Sequence, residues 1–214
     1  WYPSMAKLAV GAKWGDHFNR ATLTPTGFPL VWNNGSGTDG MSAATQYIQH
    51  GRVLTTGAVA GNDAQLTSRE LRLLRDIESI AAIKLTITVA LDQTATTECF
   101  FGLLDDGDAA MTALPTTARH AGFIYDASVN ANWRRSTADG TTQSVTNSTV
   151  AAATSSVNLV LTWTSGNFNF DIGTTDIGDN TANLPTEDRG YVIALFIQTE
   201  AAAAKLVRID KVLV

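Results

Sequence analysis

Apolar residues recur at every second position through the last third of the chain. Val157, Leu159, Leu161 and Trp163 alternate with more polar neighbours, and beyond Ser165-Gly166-Asn167 the alternation resumes at Phe168, Phe170 and Ile172. A period of two sets each group on one face of a pleated strand, and the short glycine-containing link predicts a hairpin. Ile83 to Leu91 repeats the pattern, with Leu85, Ile87, Val89 and Leu91 expected inside and Lys84, Thr86 and Thr88 outside. Tyr191 to Thr199 differs. Its Tyr-Val-Ile-Ala-Leu-Phe-Ile run is apolar at nearly every position, which suits a strand covered on both faces.

Further strands are predicted at 50–56, 64–74, 97–104, 120–126, 131–137 and 205–214. The Ser/Thr/Ala-rich stretch 141–156 predicts one short strand and a loop, and the polar link after Ile172 predicts no strand. One helical turn is expected at 75–82, where Asp76 offers an N-cap. Strands at this spacing, separated by Gly, Pro, Asn and Asp clusters, predict a β-sandwich of two antiparallel sheets. Residues 1–20 show no period and read as an arm, leaving 21–214 as a single domain.

Composition narrows the function. With 44% hydrophobic and 16% charged residues and a net charge of −5, the chain lacks the basic stripe of a nucleic-acid binder. Its densest cationic run, Arg69, Arg72 and Arg75, is interrupted by Glu70. No apolar run approaches the roughly 18 residues of a membrane helix. Cys99 is the single cysteine, so an intrachain disulfide and a thiolate metal cluster are both excluded. The start, Trp1-Tyr2-Pro3-Ser4-Met5, has neither an initiator Met nor a signal-peptide pattern, and reads as a processed or incomplete beginning.

Four stretches resemble concanavalin A-like lectin/glucanase jelly rolls, in the version common among virion structural proteins of tailed phages. They are Gly51-Arg-Val-Leu-Thr-Thr-Gly57; Phe101-Gly102-Leu103 with its Asp-rich loop; Ala121 to Asp126 running into Trp133-Arg134 and Asp139-Gly140; and Leu161-Thr-Trp163 to Gly173 with the closing Leu206 to Val212. The resemblance spans roughly residues 50–214. It implies a jelly-roll sandwich on a virion surface, serving as a capsid decoration or as a head or tail accessory. The partners it implies are a major capsid or other virion protein and the chain's own copies, a homo-oligomer with a trimer favoured. Trp1, Tyr2, Trp14 and Phe18 are the candidate docking contacts.

Retaining glycoside hydrolysis needs two carboxyls about 5 Å apart. Along one strand that requires acids at i and i+2 or i+4, and Glu70, Glu98, Asp126, Asp171 and Asp210 are each isolated in sequence. Only pairing across strands would bring two together. Ser68-Arg69-Glu70-Leu71-Arg72 is similar to an arginine motif of jelly-roll alginate lyases, but the Gln-x-His and Tyr-x-Lys partners of that chemistry are missing. The expectation is therefore a protein that is not an enzyme, with a polysaccharide lyase or hydrolase as the weakest alternative.

A glycan-binding alternative rests on Tyr125, Trp133, Arg134, Arg135 and Asp139, an aromatic platform with polar groups on adjacent strands, although a core or subunit-contact position for Trp133 is preferred. Asp105, Asp106 and Asp108 offer oxygens to calcium, but their spacing suits a hairpin tip better, and no cofactor is expected. His17, His50 and His120 are scattered, which disfavours zinc, and Asn147-Ser148-Thr149 reads as a chance glycosylation sequon.

Overall fold

A computed structural model describes residues 15–16, 32–34, 52–68, 83–164, 166–186 and 190–213. Among these are fourteen strands: β1 (Gly15–Asp16), β2 (Trp32–Asn34), β3 (Arg52–Thr55), β4 (Asp63–Ser68), β5 (Ile83–Leu91), β6 (Thr97–Asp105) and β7 (His120–Asp126), followed by β8 (Asn130–Ala138), β9 (Gln143–Ala151), β10 (Val157–Thr164), β11 (Asn167–Ile172), β12 (Thr175–Asn180), β13 (Tyr191–Thr199) and β14 (Leu206–Leu213). The helical content of the described residues is one 3-10 turn, Asp106–Asp108. The arm residues Trp1, Tyr2, Trp14 and Phe18, His17 and His50, the Arg69 to Arg72 motif and the helical turn at 75–82 lie outside the described residues.

Two seven-stranded antiparallel sheets face each other. The first runs β1-β14-β5-β10-β11-β12 with β3 also on β14, and the second runs β2-β4-β13-β6-β7-β8-β9. This is the all-β jelly-roll sandwich expected from the sequence. The period-two residues behave as read: Leu85, Ile87, Val89 and Leu91 meet Leu159, Leu161, Trp163, Phe168, Phe170 and Ile172 in one core. Each such side chain contributes about 1.5–3 kcal/mol by leaving water. In the β10–β11 hairpin Thr164 faces Asn167, and Gly166 takes the positive φ of 74° that so tight a turn requires.

β13 is buried on both sides, for two different reasons. Tyr191, Ile193, Leu195 and Ile197 enter the core between the sheets, while Val192, Ala194 and Phe196 join a second cluster on the outer face of the second sheet. Phe100, Leu104, Met111 and Ile124 complete that cluster. Phe100 reaches across the neighbouring strand because residue 122 is glycine: a Cβ there would lie 2.7 Å from the Phe100 ring.

Two stretches differ from expectation. Residues 141–156 hold a nine-residue strand, β9, in place of a short one, because pairing to β8 outweighs their low hydrophobicity. The polar link after Ile172 contains β12, which buries a single large apolar side chain, Ile177, and passes through Gly178 at φ 95°. So little apolar patterning left it invisible to a period-two reading.

Candidate functional site

The outer face of the second sheet is built by the residues that alternate with the core. On β6 these are Glu98, Phe100, Gly102 and Leu104, and on β7 they are Asp126, Ile124, Gly122 and His120, directly opposite in that order. Gln198 on β13 extends the Glu98–Asp126 row on one side, and Arg134 on β8 lies opposite Ile124. The face therefore has an apolar middle and a charged end.

Residues 106–119 cross the apolar middle like a strap. Met111 is buried in the Phe100 cluster, with Ala109, Leu114 and Ala118 packed against it. Amide side chains tie the strap down. Gln65 on β4 accepts from the Met111 N–H at 2.9 Å and donates to the Ala109 carbonyl. Gln198 donates to the Thr112 carbonyl at 3.0 Å, and Gln143 on β9 donates to the Pro115 carbonyl at 2.9 Å. Beneath it His120 is fully buried, with Nδ1 2.7 Å from the Ala118 carbonyl and Nε2 2.7 Å from the Ser136 hydroxyl. Burial disfavours the imidazolium and lowers its pKa to about 4.

The charged end brings together acids from distant positions. One carboxylate oxygen each from Glu98, Asp126 and Glu200 lie within 4.8 Å of one another, the one such group of three among the described residues. Glu200 is placed by its own N–H, which donates to the Thr96 carbonyl at 2.9 Å. The roles of the three are unequal. Asp126 Oδ1 accepts from the Ser128 N–H and hydroxyl at 3.0 and 2.7 Å, and Oδ2 pairs with Arg134 at 3.3 Å. Both of its oxygens are thus occupied.

Glu98 is the group whose proton is in play. Partial burial raises its pKa to about 7, the charges of Asp126 and Glu200 and a hydrogen bond with Glu200 push the same way, and Arg134 opposes them. Near neutral pH this end holds a carboxyl with an available proton beside a second carboxylate. That combination is what acid–base chemistry at a glycosidic oxygen requires, and oxygens within 4.8 Å are nearer the retaining separation of about 5–5.5 Å than the wider inverting one. The three acids also suit a hard cation, although Arg134 already supplies positive charge to Asp126.

The aromatic platform read from the sequence does not assemble. Tyr125 and Trp133 are 3% and 1% exposed, packed against each other in the core with ring centroids 5.6 Å apart. Their odd-numbered positions on β7 and β8 point them between the sheets. Arg135 points to that side too and bonds the Asn180 side chain at 2.8 Å and the Ile177 carbonyl. Asp139 closes its turn by accepting from the N–H groups of Thr141 and Thr142, both at 2.8 Å, which lowers its pKa. Arg134 alone of the five reaches the charged end. The acidic loop is likewise local: Asp105 accepts from the Gly107 N–H at 2.9 Å and lies 3.9 Å from Arg119, while Asp106 and Asp108 are exposed and do not converge with it.

No family model matches the chain, and no curated protein matches it in sequence. Solved structures do match in fold. A Bacillus licheniformis β-glucanase aligns over 95% of this chain and 98% of its own, with a TM-score of 0.66 and 9% identity. The catalytic domain of a Thermotoga maritima laminarinase aligns over 93% and 95%, with a TM-score of 0.60 and 9% identity. The carbohydrate recognition domain of Emp46p aligns over 85% and 87%, with a TM-score of 0.59 and 9% identity. The architecture is therefore the concanavalin A-like jelly roll shared by glucanases and lectin domains.

The expectation of a non-enzyme is corrected by these neighbours. This sandwich is one on which catalytic glucanases are built. The expectation rested on the missing along-strand pair of acids, and Glu98 and Asp126 meet across strands instead. Their signal was present in the sequence, since each is the outermost outward-facing residue of its strand at ends that antiparallel pairing brings together. Glu200, from a turn seventy-odd residues later, gave none.

Proposed function

We propose that this chain is a carbohydrate-active domain that binds a glycan at the charged end of its second sheet and cleaves a glycosidic bond there. The observation that supports it is Glu98, a carboxyl with a pKa near 7 within 4.8 Å of Glu200. Glu98 donates the proton to the leaving oxygen. Glu200 is the partner carboxylate, since Asp126 is committed to Arg134 and its own turn. It bonds the anomeric carbon as the glycosidic C–O bond breaks, and water, giving its proton to Glu98, then hydrolyses that ester. Arg134 and Asp126 hold the charge balance around the pair. The named activities of the neighbours, on β-1,3-1,4-glucan and laminarin, make β-glucans the first substrates to try.

Release of reducing ends from a panel of β-glucans and mucin-type glycans tests the reading, with binding followed in parallel by calorimetry. Glu98→Gln and Glu200→Gln should each lower turnover by about 10²–10⁴-fold while leaving binding within a few-fold. Binding without turnover in the parent chain would reduce the assignment to a lectin-like domain. Neither binding nor turnover across the panel would sink it. The virion setting implied by the sequence motifs is a proposal resting on those motifs alone, and co-sedimentation of the chain with tailed-phage particles tests it.

A further inference from the structure

Lys205 is the one lysine or arginine buried among the described residues, at 1% exposed. Its backbone is anchored beside the end of β3, where its N–H donates to the Thr56 hydroxyl and its carbonyl accepts from the Thr56 N–H, both at 2.9 Å. Its Nζ donates to the Ala95 carbonyl, also at 2.9 Å, and among the described residues no carboxylate pairs with it. A cation taken out of water is costly unless it is paired or surrounded by acceptors. Here it gains a carbonyl that the Thr96 and Thr97 hydroxyls also bond, at 2.8 and 3.2 Å. A methionine would fill the same space without that cost. What the lysine adds is a directed hold on one carbonyl.

That carbonyl belongs to the turn to which all three acids are tied. Glu98 follows the turn directly on β6. The Thr96 carbonyl accepts from the Glu200 N–H at 2.9 Å, and the Thr97 carbonyl accepts from the N–H of Ala127, the residue after Asp126, at 3.0 Å. From the core the Tyr125 hydroxyl donates to the Thr94 carbonyl at 2.9 Å. Thr96 itself sits at φ 53°, a left-handed conformation that a β-branched residue rarely adopts and keeps only where its surroundings fix it. A strained turn is thus held from inside by Lys205 and Tyr125, and its other carbonyls hold Glu200 and the Asp126 turn.

We propose that Lys205 is a positioning residue for the charged end: held inside the sandwich, it fixes the Ala95 carbonyl and, through the 94–97 turn, the distances among Glu98, Asp126 and Glu200. Its backbone belongs to the first sheet, whereas Glu98 and Asp126 stand on the second. The lysine therefore links the spacing of the acids to the packing of the two sheets. The inference deepens the reading of Glu98 and Glu200 as the reacting pair and rests on it for the effect on turnover, so its test reads geometry separately.

Lys205→Met in the full chain, checked for folding by circular dichroism, removes the bond and keeps the bulk. Hydrogen exchange at the Glu200 and Ala127 amides should quicken by about tenfold or more, while Met111 under the strap changes by less than about threefold. In carbon-13 NMR the Glu98 carboxyl should titrate below the parent's midpoint of about 7, because Glu200 moves off. In turnover, kcat should fall with KM held, and the alkaline limb of the pH profile should move down with Glu98. Parent-level exchange at both amides overturns the proposal. So does equal quickening at Met111, which would make Lys205 a general support, or a Glu98 midpoint that stays near 7. If the variant does not fold, the parent decides: Nζ on a buried carbonyl gives slowly exchanging protons in nitrogen-15 spectra, and exchange as fast as an exposed lysine's overturns the proposal. A parent Glu98 that titrates near 4.5 sinks the catalytic reading instead, and the amide comparison then decides for Lys205 alone.

Discussion

Glu98 and Phe100 lie two residues apart on one strand, opposite Asp126 and Ile124 on the next, yet they occupy different media. Phe100 is fully buried under the strap, and Ile124 is 3% exposed. Glu98 and Glu200 keep partial access to water, and the acids there retain charge or an exchangeable proton. The strand pattern is the same in both rows. What differs is the cover, because residues 109–118 bring Met111 and Leu114 over one row and meet the other at Gln198, whose amide donates to the Thr112 carbonyl. A sheet face becomes core or chemistry according to what lies across it, and a strand sequence does not report that.

The largest break in this contrast is Phe100→Ala. Emptying the fully buried site should cost about 3–5 kcal/mol in chemical denaturation while the charged end keeps its geometry. A loss below about 1 kcal/mol would mean that the strap side collapses freely and is not packed as core. Gln65→Ala comes next. It strands the Met111 N–H and the Ala109 carbonyl, and a loss of about 1–3 kcal/mol is expected, with faster hydrogen exchange at Met111. Unchanged exchange at Met111 would show that the side-chain amide does not hold the strap.

The smallest effect is in pH dependence, where Glu98 at the charged end and His120 beneath the strap oppose each other. Glu98 has a pKa of about 7 in the folded chain against a usual 4.5, so between those values the folded state binds the extra proton and stability falls as pH rises. His120, at about 4 against a usual 6.5, has the opposite sign: the unfolded chain binds its proton first, and stability is lost as pH falls from 6.5 toward 4. From about 4.5 to 6.5 the slopes offset each other. Glu98→Gln removes one of them, so the urea midpoint of the variant should rise with pH across that window more steeply than the parent's. Parallel curves would mean that Glu98 titrates normally.

Much of the fold was readable because its cause is local. Alternation in 83–91, 157–163 and 168–172 can satisfy a pleated strand in only one way, and the uniformly apolar 191–197 required cover on both faces. β12 escaped because its ladder bonds to β11 fix it, with only Ile177 supplying apolar burial. The glycan platform failed on parity. Tyr125 and Trp133 share the inward side with Phe123 and Phe101, whereas Arg134, one residue from Trp133, points out. Neighbours in sequence there belong to two faces of one sheet.

The sequence by itself determined the two-sheet sandwich, the inward residues of its regular strands and the exclusion of an intrachain disulfide or a thiolate metal cluster, since each follows from a period or a count. It also held Glu98 and Asp126 in view, but as isolated acids. Only the tertiary structure decided that they stand opposite each other, that Glu200 joins them from the turn after β13, and that Arg134 serves as their counter-charge. The reason is physical: strand period is set by the backbone of a few consecutive residues, whereas the field that moves a carboxyl pKa is the sum over groups that only long-range pairing brings within a few ångströms.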